Sequence, residues 1–174
     1  MNHGAQIVTE LPEQWRFTTD EQGWHEPAFD ASAWRTVGTS TQSCSDIGIG
    51  LEGFYHGDTW DRTTFTVPAE AQGKDPRLWF GGFGHNVDVY LNGQPLGEKT
   101  GFMRSREYEG IASALNFGGE NVIAVRGNSG GLAELGTGCI MMPVMIPAAS
   151  AGDGDGDGDD DAGEEGEGGA EYEM

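Results

Sequence analysis

Two pairs of acids lie close enough along the chain to suggest acid–base work: Asp58 with Asp61, and Glu107 with Glu109. Cleaving a glycosidic bond needs two carboxyl groups about 5–5.5 Å apart for retention, or about 6.5–9.5 Å for inversion. Residues at i and i+2 on a strand share a face, with Cα atoms roughly 6–7 Å apart. Glu107 and Glu109 meet that spacing, yet an acid-rich chain produces it by chance, and no motif surrounds either pair. Catalysis by these acids is not expected. His3, His25, His56 and His85 show neither H-x₃-H nor H-E-x-x-H spacing, so no zinc site is expected. No serine stands in G-x-S-x-G. Gly81-Gly82-Phe83-Gly84 has the look of a phosphate loop, but no lysine or helix follows it. It reads as a turn between strands. No cofactor is expected.

Aromatic and polar residues suggest a different chemistry. A flat indole stacks on the apolar face of a sugar ring while polar neighbours meet the hydroxyls. Trp60 follows the turn residues His56-Gly57-Asp58, which places it at a loop rim. Asn86, Asp88 and Tyr90 alternate with Val87, Val89 and Leu91, so the polar trio shares one strand face. Arg104 and Arg106 lie in a Gly-bounded loop and suit a hydroxyl or a carboxylate. The candidate carbohydrate-binding set is therefore Asp58, Trp60, Asp88, Tyr90 and Arg104. Trp34, between Phe29 and Val37, is expected in the core.

The elements that position these residues are strands. Thr64 to Val67 alternates and stops at Pro68, Leu78-Trp79-Phe80 is a second run, and Asn121 to Arg126 is another. Asn92-Gly93 closes the alternating run before it, the strongest short-range signal for a hairpin with a type I′ turn. Cys139 to Ile146 is apolar and carries Pro143, which marks an edge or a strand end. A single helical turn is expected over Phe29 to Trp34. Short strands divided by Gly-rich turns predict an all-β sandwich or jelly roll.

The chain has 174 residues, 29 acids and 9 bases, for a net charge of −20. From Ala151 onward there are 6 Asp and 5 Glu and no base; removing these 11 leaves 18 acids against 9 bases, a net of −9. Residues 1–150 are thus expected to form the domain and 151–174 a disordered acidic tail, too poor in apolar side chains to offset ordering entropy. Asp153, Asp155 and Asp157 fit the first half of a calcium loop, but helical apolar flanks are absent, so calcium is not expected. An acidic field repels phosphate, which argues against nucleic acid and anionic membrane as partners. No apolar run is long enough to cross a bilayer, and no secretory leader is visible at the start. Cys44 and Cys139 make no disulfide framework and are expected as reduced thiols in a cytoplasmic setting. Lysine occurs only at Lys74 and Lys99, a surface chemistry suited to high salt.

Several segments resemble one family. Trp15-Arg16-Phe17, Trp24 and Phe29-Asp30-x-Ser32-x-Trp34-Arg35-x-Val37 look like the opening of the sugar-binding domain of glycoside hydrolase family 2. Trp60 to Pro68 is similar to its W-Y-R-R-x-F-x-V-P strand. Leu78 to Gly93 resembles L-x-F-x-G-V-x-x-x-A-x-V-Y-L-N-G, and Gly119 to Arg126 resembles G-x-N-x-I-A-V-R. Gly138 to Val144 sits where the family has G-G-I-Y-R-P-V. The resemblance covers residues 12–147 and implies a galactose-binding-like jelly roll. It also implies that the catalytic glutamates lie on a barrel outside this chain, so no catalytic residue carries over. Asp61 and Thr63 replace Tyr and Arg, and Met141-Met142 replace Tyr-Arg. The implied function is non-catalytic carbohydrate binding, weak, alone or with a separate glycosidase catalytic subunit. The alternatives are a protein-interaction sandwich without sugar affinity, or the leading piece of a broken glycosidase gene.

Overall fold

The computed structural model describes residues 5–19, 24–39, 58–83, 86–101, 104–128, 140 and 143–149. The acidic tail, both cysteines and Met141-Met142 lie outside the described residues. Among the described residues ten strands follow in chain order: β1 (Ala5–Glu10), β2 (Gln14–Thr18), β3 (Arg35–Gly38), β4 (Asp58–Thr66), β5 (Leu78–Phe83), β6 (Asn86–Leu91), β7 (Gln94–Lys99), β8 (Arg104–Tyr108), β9 (Glu120–Asn128) and β10 (Val144–Ala149). They form a four-stranded sheet ordered β1-β10-β5-β8 and a six-stranded sheet ordered β3-β2-β4-β9-β6-β7. All named strand pairs are antiparallel. The fold is the all-β sandwich that the strand pattern predicts.

Strand alternation sets the core. Val87, Val89 and Leu91 are buried, while Asn86, Asp88 and Tyr90 on the same strand are half-exposed. From the opposing sheet, Leu78, Phe80, Phe83 and Ile146 are fully buried and join the same cluster. Each such side chain contributes roughly 1.5–3 kcal/mol by leaving water. Asn92 and Gly93 both have positive φ, 50° and 80°, as the type I′ turn requires. Asn92 also ties this hairpin to β9: its Nδ2 donates to Asn121 Oδ1 (2.9 Å) and to Ala114 O (2.7 Å), and its Oδ1 accepts from Val122 N (2.8 Å). Asn121 is fully buried, and its Nδ2 donates to Asn116 O and Gly119 O. A buried amide with all its bonds made fixes the register between two strands that are distant in sequence.

Three local expectations need correction. The segment Phe29 to Trp34 forms turns, not a helix. Asp30 Oδ1 accepts from Ser32 N at 2.9 Å, and this Asx-type bond competes with helical bonding. Trp34 is half-exposed and packs with Trp24 and Phe29 at ring separations of 4.9 and 5.5 Å, so it belongs to a satellite cluster and not to the core. Gly81, Gly82 and Phe83 lie within β5, where the pairing with β8 slips between Phe80 and Phe83. Pro143 directly precedes β10, a strand end as its missing N–H demands.

Candidate functional site

β4 runs between β2 and β9, and β9 runs between β4 and β6. This order builds cross-strand rows on the outer face of the six-stranded sheet. Trp60 lies opposite Arg126, which lies opposite Asp88; Asp58 lies opposite Asn128, which lies opposite Asn86. The side chains connect along these rows. Arg126 donates to Asp58 Oδ2 through Nε (2.8 Å) and Nη2, and its Nη1 stands 3.9 Å from Asp88 Oδ2. Asn128 Nδ2 donates to Asp58 Oδ1. Chief among the causes, the hydrogen bonds to Asp58 hold the Arg126 guanidinium pKa above its ordinary value. Tyr90 adds an aromatic edge, stacked on His25 at 4.7 Å and lying 5.9 Å from the Trp60 ring.

Four of the five candidates therefore meet on one face: Asp58, Trp60, Asp88 and Tyr90. Arg104 does not join them. It is exposed on β8 in the other sheet, opposite Phe83, because the segment read as a loop pairs with β5. Trp60 is not at a rim either. It is the third residue of β4, flanked by Thr18 of β2 and Arg126 of β9, and only 3% of it is exposed. Its Nε1 is buried with no hydrogen-bond partner. Trp60 is the floor of this face and not a free stacking platform. Arg126 and Asn128, which sequence reading left out, organise the row. The G-x-N-x-I-A-V-R strand was visible, but its register against β4 and β6 was not.

The acid pairs resolve in the same way. Asp58 and Asp61 differ by three positions and point to opposite faces. Asp61 turns inward, opposite Phe17 and Val125, is 2% exposed, and has an Oδ2 without a hydrogen bond. Burial pushes its carboxyl up to about 8. Glu107 and Glu109 share Arg77 Nη1, each at 2.9 Å, on the exposed side of the other sheet. Neither pair lines the groove over β2 and β4 described below. Among the described residues no cluster of His, Cys, Asp or Glu is placed to hold a metal, and no helix is long and apolar enough to cross a membrane.

The segment from Trp24 to Trp34 crosses the outer face as a strap. His25 stacks on Tyr90 of β6. Pro27 lies so close to Gly93 that a Cβ there would meet its Cδ at 2.9 Å. Arg62 of β4 donates to Trp24 O (3.0 Å) and Pro27 O (2.8 Å), and its guanidinium carbon is 5.8 Å from the centre of the Phe29 ring. Arg16 of β2 donates to Trp34 O and Thr36 Oγ1, both at 3.1 Å. Beside the strap, over β2, β4 and the start of β9, lies a half-open groove of about 520 Å³. Its walls include Gln14, Arg16, Phe29, Asp30, Thr64 and Glu120.

Comparison with known proteins identifies the type of domain. The family model described as "Beta-galactosidase second all-beta domain" matches residues 19–132. A beta-glucuronidase of Formosa agariphila is 35% identical over 81 residues, which is 46% of this chain and 8% of that protein. A glycosyl hydrolase family 2 member from Bacteroides cellulosilyticus superposes with a TM-score of 0.67 at 22% identity, covering 79% of this chain and 20% of that one. The beta-glucuronidase of Ruminococcus gnavus in complex with D-glucaro-d-lactam gives a TM-score of 0.69 at 20% identity, covering 86% and 30%. At such identities the structural likeness shows the fold, and the chain spans less than a third of the length of each of these relatives. With most of its length matched in sequence to the family and its sandwich matched to these structures, the chain belongs to the family of the beta-galactosidase second all-beta domain, an accessory β domain of glycoside hydrolase family 2 proteins.

Proposed function

We propose that this chain is a non-catalytic carbohydrate-binding domain that works in carbohydrate metabolism, alone or beside a glycosidase catalytic partner. The observation that carries the reading is the row Asp58–Arg126–Asp88 on the outer face of the six-stranded sheet, edged by Tyr90. The Arg126 and Asp88 side chains are 40% and 33% exposed, so a bound hydroxyl has donors and acceptors whose positions are already fixed. Pre-set groups lower the ordering cost of a weak ligand. No turnover is expected from the acid pairs considered above: Asp61 is buried in the core, and Glu107 and Glu109 share one Arg77 on the exposed side of the other sheet. Family membership supports an accessory role, since relatives that carry the activity are several times longer. Aryl β-galactoside, β-glucuronide and β-mannoside assays on the purified chain test the reading, with no release of aglycone expected. Turnover above buffer that is unchanged in Asp58→Asn and lost in a pair of other acids would replace it with an enzymatic one. A sandwich that only docks protein would show no response to any glycan.

A further inference from the structure

We propose that the groove beside the Trp24–Trp34 strap is a second sugar subsite, selective for uncharged glycans over uronates; this rests on the carbohydrate-binding reading above. The groove's volume, about 520 Å³, lies in the range of small-molecule sites. Its lining combines both halves of sugar chemistry. Phe29 is a half-buried ring in the wall, stacked on Trp24 at 5.3 Å, so it supplies apolar wall and not an open stacking face, and Gln14, Ser32, Thr36 and Thr64 supply neutral donors and acceptors. Charge decides the ligand class. Two arginines and two acids line the groove, Arg16 and Arg62 against Asp30 and Glu120, so the groove is balanced within a chain of net charge −20.

A uronate needs an open guanidinium fork for its carboxylate. Arg62 has both terminal nitrogens bound to the strap carbonyls of Trp24 and Pro27. Arg16 has one terminal nitrogen engaged by Trp34 O and Thr36 Oγ1, and it shares the groove with the Asp30 carboxylate, whose pKa is lowered mainly by the bond from Ser32 N. What remains for a ligand is the hydroxyls of Ser32, Thr36 and Thr64, the Gln14 amide and the rest of the Arg16 guanidinium, which meet sugar hydroxyls, while the Asp30 and Glu120 carboxylates offset that cation and repel an anion.

Amide chemical shifts of the full chain, followed by NMR during titration with lactose and separately with sodium glucuronate to tens of millimolar, test this inference. Lactose is expected to shift Gln14, Thr64 and Glu120 at least threefold more than glucuronate does. The exposed-strand substitution Thr64→Trp fills the groove without touching the core and should abolish those shifts while leaving those at Asn86 and Asp88. Shifts confined to Asn86, Asp88 and Asn128 would overturn the groove subsite and leave carbohydrate binding standing. Equal or larger groove shifts with glucuronate would overturn the selectivity. No shift anywhere with either sugar would overturn both readings.

Discussion

Arg126 grips Asp58 through two guanidinium nitrogens, across the paired central strands β4 and β9. The Arg126 side chain is 40% exposed and that of Asp58 15%. A pair so close to solvent stabilises the fold only modestly, by about 0.5–1 kcal/mol after screening. Arg126→Ala should therefore lower the melting temperature by a few degrees at most. Its larger effect should be on ligand contact, because Asp58 and Asp88 lose the cation between them. A fall of stability well beyond that range in thermal unfolding would make the row a structural element and not a binding one.

Trp60 sits where its removal is costly. It is almost fully covered, inside a central strand, with Tyr90 against its ring. Trp60→Ala should destabilise the domain by about 3–5 kcal/mol, the usual range for emptying a buried aromatic site. Trp24→Ala, in the half-exposed satellite cluster, should cost clearly less. Chemical denaturation of both variants would show the ranking, and equal midpoints would contradict it.

Asp61 gives a pH dependence of defined sign. Its carboxyl ionises near the ordinary 3.8 when unfolded but at about 8 when folded. Between these values the folded state binds more protons than the unfolded one. Stability is therefore fully present below about pH 4 and falls as pH rises towards 8, by at most about 1.4 kcal/mol per unit. Asp61→Asn removes this slope. The difference in unfolding free energy between the two proteins, followed from pH 5 to pH 8, should grow in favour of Asn. A difference that stays constant would show that Asp61 is ionised in the fold.

Residues 1–150 carry a net charge of −9 and the remainder −11. We expect the melting temperature to rise with KCl, since the screening length shrinks from about 30 Å at 0.01 M to about 3 Å at 1 M. A chain ending at Ser150 should melt within a few degrees of full length at 1 M KCl. A flat salt curve, or a large loss on truncation, would count against a salt-adapted body with an independent tail.

The parts of this fold that sequence displays are the locally determined ones. Val87-Asp88-Val89-Tyr90-Leu91 and the Asn92-Gly93 turn declare themselves through alternation and positive φ, and both are found in place. The core faces follow from the same period. The candidate site was half legible, because a strand face can be read from one strand while its neighbours cannot. Asp88 and Tyr90 were assigned to the right face. Arg126 went unseen because only the β4-β9-β6 register brings it between two acids. Arg104 was misplaced because nothing local says which sheet a segment joins, and Trp60 because the turn residues before it masked a central strand. The single helical turn expected over Phe29 to Trp34 gives way to turns, because Asp30 Oδ1 accepts from Ser32 N, a bond that no apolar pattern displays.

The central claim is that the outer face of the six-stranded sheet binds carbohydrate without cleaving it. Titration calorimetry of the full chain with lactose at high salt, beside the Arg126→Ala variant, tests it most directly. The account predicts a dissociation constant near the millimolar range, about −4 kcal/mol, severalfold weaker in Arg126→Ala, with the disaccharide recovered intact. No heat of binding from either protein at tens of millimolar lactose, or recovery of galactose and glucose, would contradict it.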